Sequence, residues 1–149
     1  MELSINTSTR YASVGLSEEG DMTIELSWRS NRNHSVELVP SIRDIMARSH
    51  VEVSQLKAIF VAKGPGGFSA LRVGISTAKA LAMANQLPLI GVGTLDIEAY
   101  PYLELGMPVC ALIEAGQNNL YVGRFTHPEK LQEQPGQNYE VVTFEELVS

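Results

Sequence analysis

The chain has 149 residues, of which 44% are hydrophobic and 19% are charged, and its formal net charge is −6 at pH 7. This length supports one well-buried core but not two full-sized domains, and the composition excludes a disordered or a membrane-spanning protein. A protein that neutralises many phosphates by itself carries a basic excess, which this chain lacks. We therefore expect another subunit to hold most of any bound nucleic acid.

Cysteine usage and the amino terminus indicate the compartment. Cys110 is the single cysteine, which excludes an intrachain disulfide framework and favours a reducing environment. The amino terminus has no basic region followed by an apolar run, and no stretch approaches the roughly 20 apolar residues of a membrane span. We expect a cytoplasmic protein without a signal peptide or a membrane partner.

The beginning of the chain predicts three antiparallel strands, at residues 3–7, 11–16 and 22–28. Apolar and polar residues alternate along these segments, and short polar turns separate them. From residue 34 the period changes to that of a helix, which we expect over residues 35–48. Its apolar face contains Val39, Ile42, Ile45 and Met46, and Pro40 is tolerated only near the first turn.

The next segments predict a capped turn, a strand and a second helix. Ser54 is a candidate cap for a short turn before an apolar strand at residues 58–62, and a helix follows over residues 70–85. The glycine-rich segment between strand and helix lacks the Gly-Lys-Ser/Thr of a P-loop and the spacing of a dinucleotide fingerprint. The phosphate-binding candidates in and near it are weak: Asn6, Thr7, Gly64, Gly66 and Gly67. The alternative is a tight turn that needs the conformational freedom of glycine.

A stripe of small residues distinguishes the second helix. Ala70, Gly74, Ala78 and Ala82 are spaced four apart, and Leu71 and Ile75 lie beside them. Such a stripe allows another element to approach closely. That element is either a partner helix or the protein's own sheet, and the spacing does not decide between them.

The carboxyl-terminal part of the chain resembles the beginning. A buried strand at residues 88–92 and a helix at 95–103, broken at Pro101, lead to a segment that repeats the first hairpin. A shift of 108 positions lays Ile113-Glu114 on Ile5-Asn6 and Val122-Gly123 on Val14-Gly15, which predicts a second hairpin over residues 109–126. A third strand at 139–142 and a Thr143-x-x-Glu146 capping box follow. We predict an α/β fold with subdomains at residues 1–104 and 105–149, the second of them short or truncated.

Catalytic and metal sites are not predicted. A helical His-x-x-x-His pair is excluded because Leu38 stands four residues after His34, and His50 and His127 occupy loop-like positions. The sequence contains no Gly-x-Ser-x-Gly elbow and no Cys–His neighbourhood.

Several of these segments together resemble the TsaB (YeaZ) family, which partners the transferase that makes threonylcarbamoyladenosine in bacterial tRNA. The resemblance rests on residues 3–9, 34–40 and 79–81, on Pro88-Leu-Ile-Gly-Val92, and on residues 111–115 and 120–123. The most specific segment is Gly64-Pro-Gly-Gly-Phe-Ser-Ala-Leu-Arg-Val-Gly74. The family is also similar to glycoprotease-like proteins.

The resemblance implies an actin-like ATPase fold of two ribonuclease H-like halves and a non-catalytic role, without a catalytic residue or a cofactor on this chain. ATP and metal would belong to the catalytic transferase subunit, which has the same fold, and an ATPase subunit could join the complex. Transfer RNA would be bound only through the complex. The partner would dock on the two predicted helices. Because the small-residue stripe beside Leu71 and Ile75 leaves an apolar helical face when the partner is absent, we expect the chain to form a two-fold homodimer through that face. The implied interface comprises Val39, Ile42, Ile45, Met46, Ala70, Leu71, Gly74, Ile75 and Ala78.

Two positions depart from the family pattern, since Asn6 and Glu114 stand where these proteins commonly have Asp. A neutral Asn6 weakens any nucleotide site on this chain, because an amide forfeits most of the attraction of a carboxylate for a cation. Two alternatives remain from the residues alone. One is an ATP-dependent kinase or transferase of the actin-like fold, and the other is a homodimeric interaction module without a tRNA role.

Overall fold

The computed structural model describes residues 1–125 and 139–149. The chain forms two compact units, one of residues 1–63 and 67–91 and the other of residues 64–66 and 92–149. The predicted subdomains at 1–104 and 105–149 stay a prediction. Among the described residues, no helix has both the length and the apolarity needed to cross a bilayer.

The first unit is built on a five-stranded mixed sheet with the order β3-β2-β1-β4-β5. Its strands are β1 (Glu2–Asn6), β2 (Tyr11–Glu18), β3 (Asp21–Arg29), β4 (Ala58–Ala62) and β5 (Leu89–Val92). The central strand β1 pairs antiparallel with β2 and parallel with β4, so that Leu3 lies beside both Leu16 and Ile59. The predicted three-stranded meander at the start of the chain is confirmed.

Two helices cover one face of this sheet. They are α1 (His34–Arg48) and α2 (Phe68–Asn85), and they also contact each other. The inward side chains of the two helices share one core with alternate residues of β1, β2 and β4. The helix residues in this core include Leu38, Ile45 and Ala78. Spacings of three and four residues bring this apolar set of α1 to one side. Pro40 lies in the second turn of α1, beyond the first turn in which a proline is best tolerated.

The second unit contains a three-stranded antiparallel sheet with the order β6-β7-β8. Its elements are α3 (Thr94–Ala99), a 3-10 segment (Tyr100–Leu105), β6 (Val109–Gly116), β7 (Asn119–Phe125), β8 (Glu140–Thr143) and α4 (Phe144–Val148). The predicted second hairpin is confirmed by the pairing of β6 with β7. The predicted capping box is also present, since Glu146 N–H donates to Thr143 Oγ1 at 3.2 Å and Thr143 N–H donates to Glu146 Oε2 at 2.8 Å.

Two local predictions were wrong. Glu52, not Ser54, is the N-cap of the 3-10 turn Val53–Gln55, and its backbone N–H donates to Gln55 Oε1 at 2.8 Å. The strand β5 is an edge strand with half-exposed residues, where burial was expected from its apolar sequence. The predicted interruption of the helix at Pro101 is confirmed, because α3 ends at Ala99 and the proline lies in the first turn of the 3-10 segment that follows.

One carboxylate contact within the first unit predicts acid sensitivity. The Ser30 hydroxyl and the Trp28 indole, whose Nε1 lies 2.9 Å from Glu37 Oε2, both donate to Glu37 and hold its pKa below the ordinary value; the charge of nearby His34 acts in the same direction. A carboxyl group with a depressed folded pKa stabilises the protein above its unfolded pKa, and that contribution is lost as the pH falls through the folded pKa.

We therefore expect Glu37→Gln to flatten the decline of stability in acid. The measurement is the urea midpoint from neutral to acidic pH, followed by the fluorescence of Trp28, the single tryptophan. The control Glu18→Gln changes an exposed carboxyl group on β2 and should keep the decline of the parent chain. If the urea midpoint fell equally with pH in the parent chain and in Glu37→Gln, the assigned role of the Glu37 carboxylate would be contradicted.

Candidate functional site

The carboxyl end of β1 carries the polar residues that could contact a phosphate. Asn6 Oδ1 accepts hydrogen bonds from the backbone N–H of Ser8 at 3.0 Å and from its hydroxyl at 2.6 Å. Thr7 Oγ1 donates to the carbonyl oxygen of Ala70 in the first turn of α2, at 2.7 Å. Thr7 and Ser8 are buried. This turn is therefore closed on itself, because short polar side chains bond their own backbone two residues on.

The glycines of the segment have different roles. Gly67 donates its N–H to the carbonyl oxygen of Ser8 at 2.9 Å and is the N-cap of α2. A Cβ added to Gly67 would meet only ordinary contacts at 3.8 Å and beyond. Gly64 has φ of +108°, which a side chain would rarely adopt, and its carbonyl oxygen accepts from Thr94 N–H at 2.9 Å. Asn6, Thr7 and Gly67 belong to the first unit, whereas Gly64 and Gly66 group with the second. The segment between β4 and α2 thus requires glycine at residue 64, because its backbone there has a positive φ.

The arrangement around Asn6 predicts a negative result for nucleotide. We expect the isolated chain not to bind ATP and magnesium with submicromolar affinity, and Asn6→Asp not to create such binding. The reason is that a carboxylate at residue 6 would accept the same two hydrogen bonds from Ser8. Isothermal titration of both proteins with ATP and magnesium tests this. Submicromolar binding by either protein would contradict it.

The described part of the chain contains no candidate metal site, since no three His, Cys, Asp or Glu side chains there are placed to hold a metal ion. His34 is buried, with Nε2 at 3.4 Å from the carbonyl oxygen of Thr9, while His50 follows α1 with a positive φ. His127 lies outside the described residues.

The helices α1 and α2 carry the residues expected at a partner interface, and most of these face inward. Five are buried within the first unit: Ile42, Ile45, Met46, Gly74 and Ala78. Ala70, Leu71 and Ile75 are half-buried, and Val39 is 40% exposed. The small-residue stripe of α2 therefore accommodates the protein's own first unit.

Gly74 shows why the stripe on α2 consists of small residues. A Cβ built on Gly74 would collide with Thr7 Oγ1 and would stand 3.4 Å from both Thr7 Cβ and Thr7 Cγ2. The absence of a side chain lets α2 approach the end of β1 closely enough for the Thr7–Ala70 hydrogen bond. The close approach predicted from the glycine exists, and its partner is the end of the central strand.

The outward faces of the same helices carry apolar side chains that the sequence analysis missed. Val36 is 68% exposed on α1, and Phe68 and Met83 are 74% and 80% exposed on α2. Arg72 lies over the Phe68 ring, with its Cζ 5.5 Å from the ring centroid. The sequence signal for these side chains is weak, because apolar residues on the outer faces alternate at helical spacing with polar ones such as Arg43, Arg72 and Ser76.

Comparison with known proteins gives concordant relatives. The family model described as "TsaD: tRNA N6-adenosine threonylcarbamoyltransferase" matches residues 28–145. The chain is 34% identical over 121 residues to the tRNA threonylcarbamoyladenosine biosynthesis protein TsaB of Haemophilus influenzae, which covers 80% of this chain and 51% of that protein. It is 27% identical over 148 residues to the protein of the same name from Bacillus subtilis, covering 98% of this chain and 65% of the relative.

A solved structure extends the likeness to the fold. YeaZ from Pseudomonas aeruginosa matches with a TM-score of 0.81 and 30% identity, over 95% of this chain and 67% of that chain. The fold is the actin-like α/β fold predicted from the sequence. The chain spans about half to two thirds of the length of these three relatives.

Proposed function

This chain belongs to the TsaB (YeaZ) family, and from that premise we propose that it is an accessory subunit in the synthesis of N6-threonylcarbamoyladenosine in tRNA. In this proposal the chain performs no chemistry. It binds the catalytic threonylcarbamoyl transferase, a protein of the same fold that holds ATP and metal, and it works in the cytoplasm. An ATPase subunit could join the complex, and tRNA is bound only by the assembled complex.

The observation that carries the proposal is the apolar outer face of the two neighbouring helices of the first unit. Val36 and Val39 are exposed on α1, and Phe68 and Met83 are exposed near the beginning and the end of α2; we call these four residues the helical face. An exposed set of large apolar side chains is typical of a protein–protein interaction site. The buried stripe residues support the face from beneath, because they set the distance between α2 and the end of β1.

Exposed cationic residues accompany the helical face. Arg43, Arg72 and Lys79 are exposed, and each lies four residues, about one helical turn, from a member of this face; we call these three residues the cationic rim. The sequence of α2 contains no Asp or Glu. The chain as a whole has a net charge of −6, so the positive charge of the cationic rim is opposite in sign to the net charge of the protein. The matching surface of the transferase should have an apolar centre and an acidic rim, since complementary charge steers association and fixes orientation.

The arrangement of the Asn6 turn favours a non-catalytic subunit over the kinase alternative. Both side chains that could face a phosphate, Asn6 and Thr7, already have intramolecular hydrogen-bond partners. A phosphate would have to replace these bonds within a buried turn, which costs the desolvation of each group left unpaired.

The experiment that tests the proposal uses the full chain and the catalytic transferase of the same organism. We expect the two to form a complex in size-exclusion chromatography with light scattering, and the affinity to weaken with added salt because of the cationic rim. The chain alone should give homodimers through the helical face at high concentration. The absence of a complex at tens of micromolar protein would contradict the proposal. A complex whose affinity does not change with added salt would contradict the role of the cationic rim.

A further inference from the structure

A small surface of arginine and tyrosine lies at one end of the sheet of the first unit. Tyr11 begins β2 and Arg29 ends β3, and the two residues stand directly opposite each other in the antiparallel pair. The polar loop after β3 contains Arg32, and Ser30 N–H ties this loop to the turn before β2 by donating to Arg10 O at 2.8 Å. We call Tyr11, Arg29 and Arg32 the arginine patch. Arg10 has a further contact of its own and is not part of the patch.

Tyr11 and Arg29 lie on the face of the sheet opposite to the two helices. Successive side chains of a strand point to opposite faces, so the orientation of each residue follows from that of its neighbour. The neighbours Ala12 and Trp28 face the helices, since Ala12 is fully buried and the Trp28 indole donates to Glu37 of α1. A partner that docks on the helical face therefore does not cover Tyr11 and Arg29.

The arginine patch is basic although the protein is acidic. The two segments that form it, residues 6–12 and 26–36, contain no Asp or Glu, whereas the net charge of the chain is −6. The carboxylates that flank the second segment have other partners, because Glu25 accepts from the Ser27 hydroxyl and Glu37 accepts from the Trp28 indole. Arg29 and Arg32 are exposed, and neither forms an ion pair or a side-chain hydrogen bond within the residues that the structure describes.

We propose that the arginine patch contacts the sugar–phosphate backbone and one unpaired base of tRNA in the complex with the transferase, an inference that rests on the proposed function. A guanidinium group matches the geometry of a phosphate, so Arg29 and Arg32 each supply one phosphate contact. The Tyr11 side chain is 61% exposed and has no aromatic or cationic partner among the described residues, so its ring offers a surface on which a base stacks. Directly opposed residues have Cβ atoms about 5 Å apart, which places Arg29 beside the nucleotide whose base lies on Tyr11.

The small number of contacts agrees with the acidic character of the chain. Two phosphate contacts release few counterions, so the isolated chain should bind tRNA only weakly. In the complex the transferase holds the same RNA, and the contact with the arginine patch becomes intramolecular, which raises its contribution to the overall affinity. An acidic protein segment could also pair with the two arginines, but it would have no use for the exposed ring of Tyr11.

The test measures tRNA binding by the complex of the full chain and the transferase of the same organism. The readout is the fluorescence anisotropy of labelled tRNA over a series of salt concentrations at which the two proteins stay assembled. We expect Arg29→Gln and Arg32→Gln each to weaken binding about fivefold at about 0.1 M salt and to lower the slope of log affinity against log salt by about 0.7 to 0.9. The control Lys57→Gln removes an exposed cation that precedes β4, at the opposite end of the sheet, and should bind tRNA as the parent does.

Two substitutions of Tyr11 test base stacking separately from charge. Tyr11→Ala removes the ring and should weaken tRNA binding about tenfold, which is the loss expected for one stacked base. The slope against salt should stay that of the parent, because stacking releases no counterions from phosphate. Tyr11→Phe keeps the ring and should bind tRNA as the parent chain does.

The melting temperature and the affinity for the transferase are measured first for every variant, and both should equal those of the parent. Equal tRNA binding by Arg29→Gln, Arg32→Gln and Lys57→Gln in an intact complex would overturn the inference and leave the proposed function standing. Loss of affinity for the transferase in the two arginine variants would show that the patch is a protein interface. Equal weakening by Tyr11→Ala and Tyr11→Phe would show that no base stacks there. A parent chain that forms no complex would contradict the proposed function and this inference together.

Discussion

Gly74→Ala should lower the free energy of unfolding by about 2 to 4 kcal/mol, although alanine is a better helix former than glycine. The added Cβ collides with Thr7 Oγ1, which donates a hydrogen bond to Ala70 O within the buried end of β1. Either α2 moves away from the sheet or Thr7 turns and leaves its buried hydroxyl unpaired. Both outcomes cost more than the roughly 1 kcal/mol that alanine contributes in a helix.

A double-mutant cycle tests the named contact. In the Thr7→Ala background the colliding hydroxyl and methyl are gone, so Gly74→Ala should cost much less than it does beside Thr7. The control Gly67→Ala adds the same methyl where the nearest atoms lie at 3.8 Å and should change the urea midpoint little. Additive effects of Thr7→Ala and Gly74→Ala would show that the two residues do not meet.

Val39→Glu should weaken the complex with the catalytic transferase by about tenfold or more while the melting temperature stays close to that of the parent chain. Val39 is 40% exposed on the outer side of α1, and glutamate is a good helix former, so the fold should tolerate the change. A buried carboxylate without a partner is costly at an interface, and the loss should therefore appear in affinity. Val36→Glu, at a position 68% exposed on the same helix, should act in the same direction.

The matched control is Val148→Glu, which changes a valine 69% exposed on α4 in the second unit. It should leave both the affinity and the melting temperature unchanged. If Val39→Glu lowered the melting temperature and kept the affinity, Val39 would belong to the core of the first unit, and the helical face would not be the docking surface.

Elements whose pattern depends on local sequence were predictable. The meander β1-β2-β3 and the hairpin of β6 and β7 follow from alternation and turn residues, which act over a few positions. The inward residues of α1 follow from helical spacing, as with Ile42 and Ile45. The family pattern around Gly64–Gly74 then supplied the actin-like fold, which no local pattern contains.

The direction of the small-residue stripe was not predictable from spacing. A helix with small residues on one side can approach either a partner or its own sheet, and Gly74 is the same residue in both cases. The contact with Thr7 decides it, and that contact joins residues 67 positions apart in the chain. The edge position of β5 escaped prediction for a similar reason, because burial depends on neighbouring strands and not on the apolar sequence alone.

The central claim is that this chain supports the modification of tRNA without performing the chemistry. The most direct measurement is the content of N6-threonylcarbamoyladenosine in tRNA, by mass spectrometry of the nucleosides. The host is a bacterium that lacks its own TsaB and expresses this chain together with the transferase from the organism that this chain comes from. The account predicts that the modified nucleoside is restored by the parent chain and by Val148→Glu, and is reduced by Val39→Glu. Nucleoside content equal to that of the strain lacking TsaB, with the chain folded and present, would contradict the account.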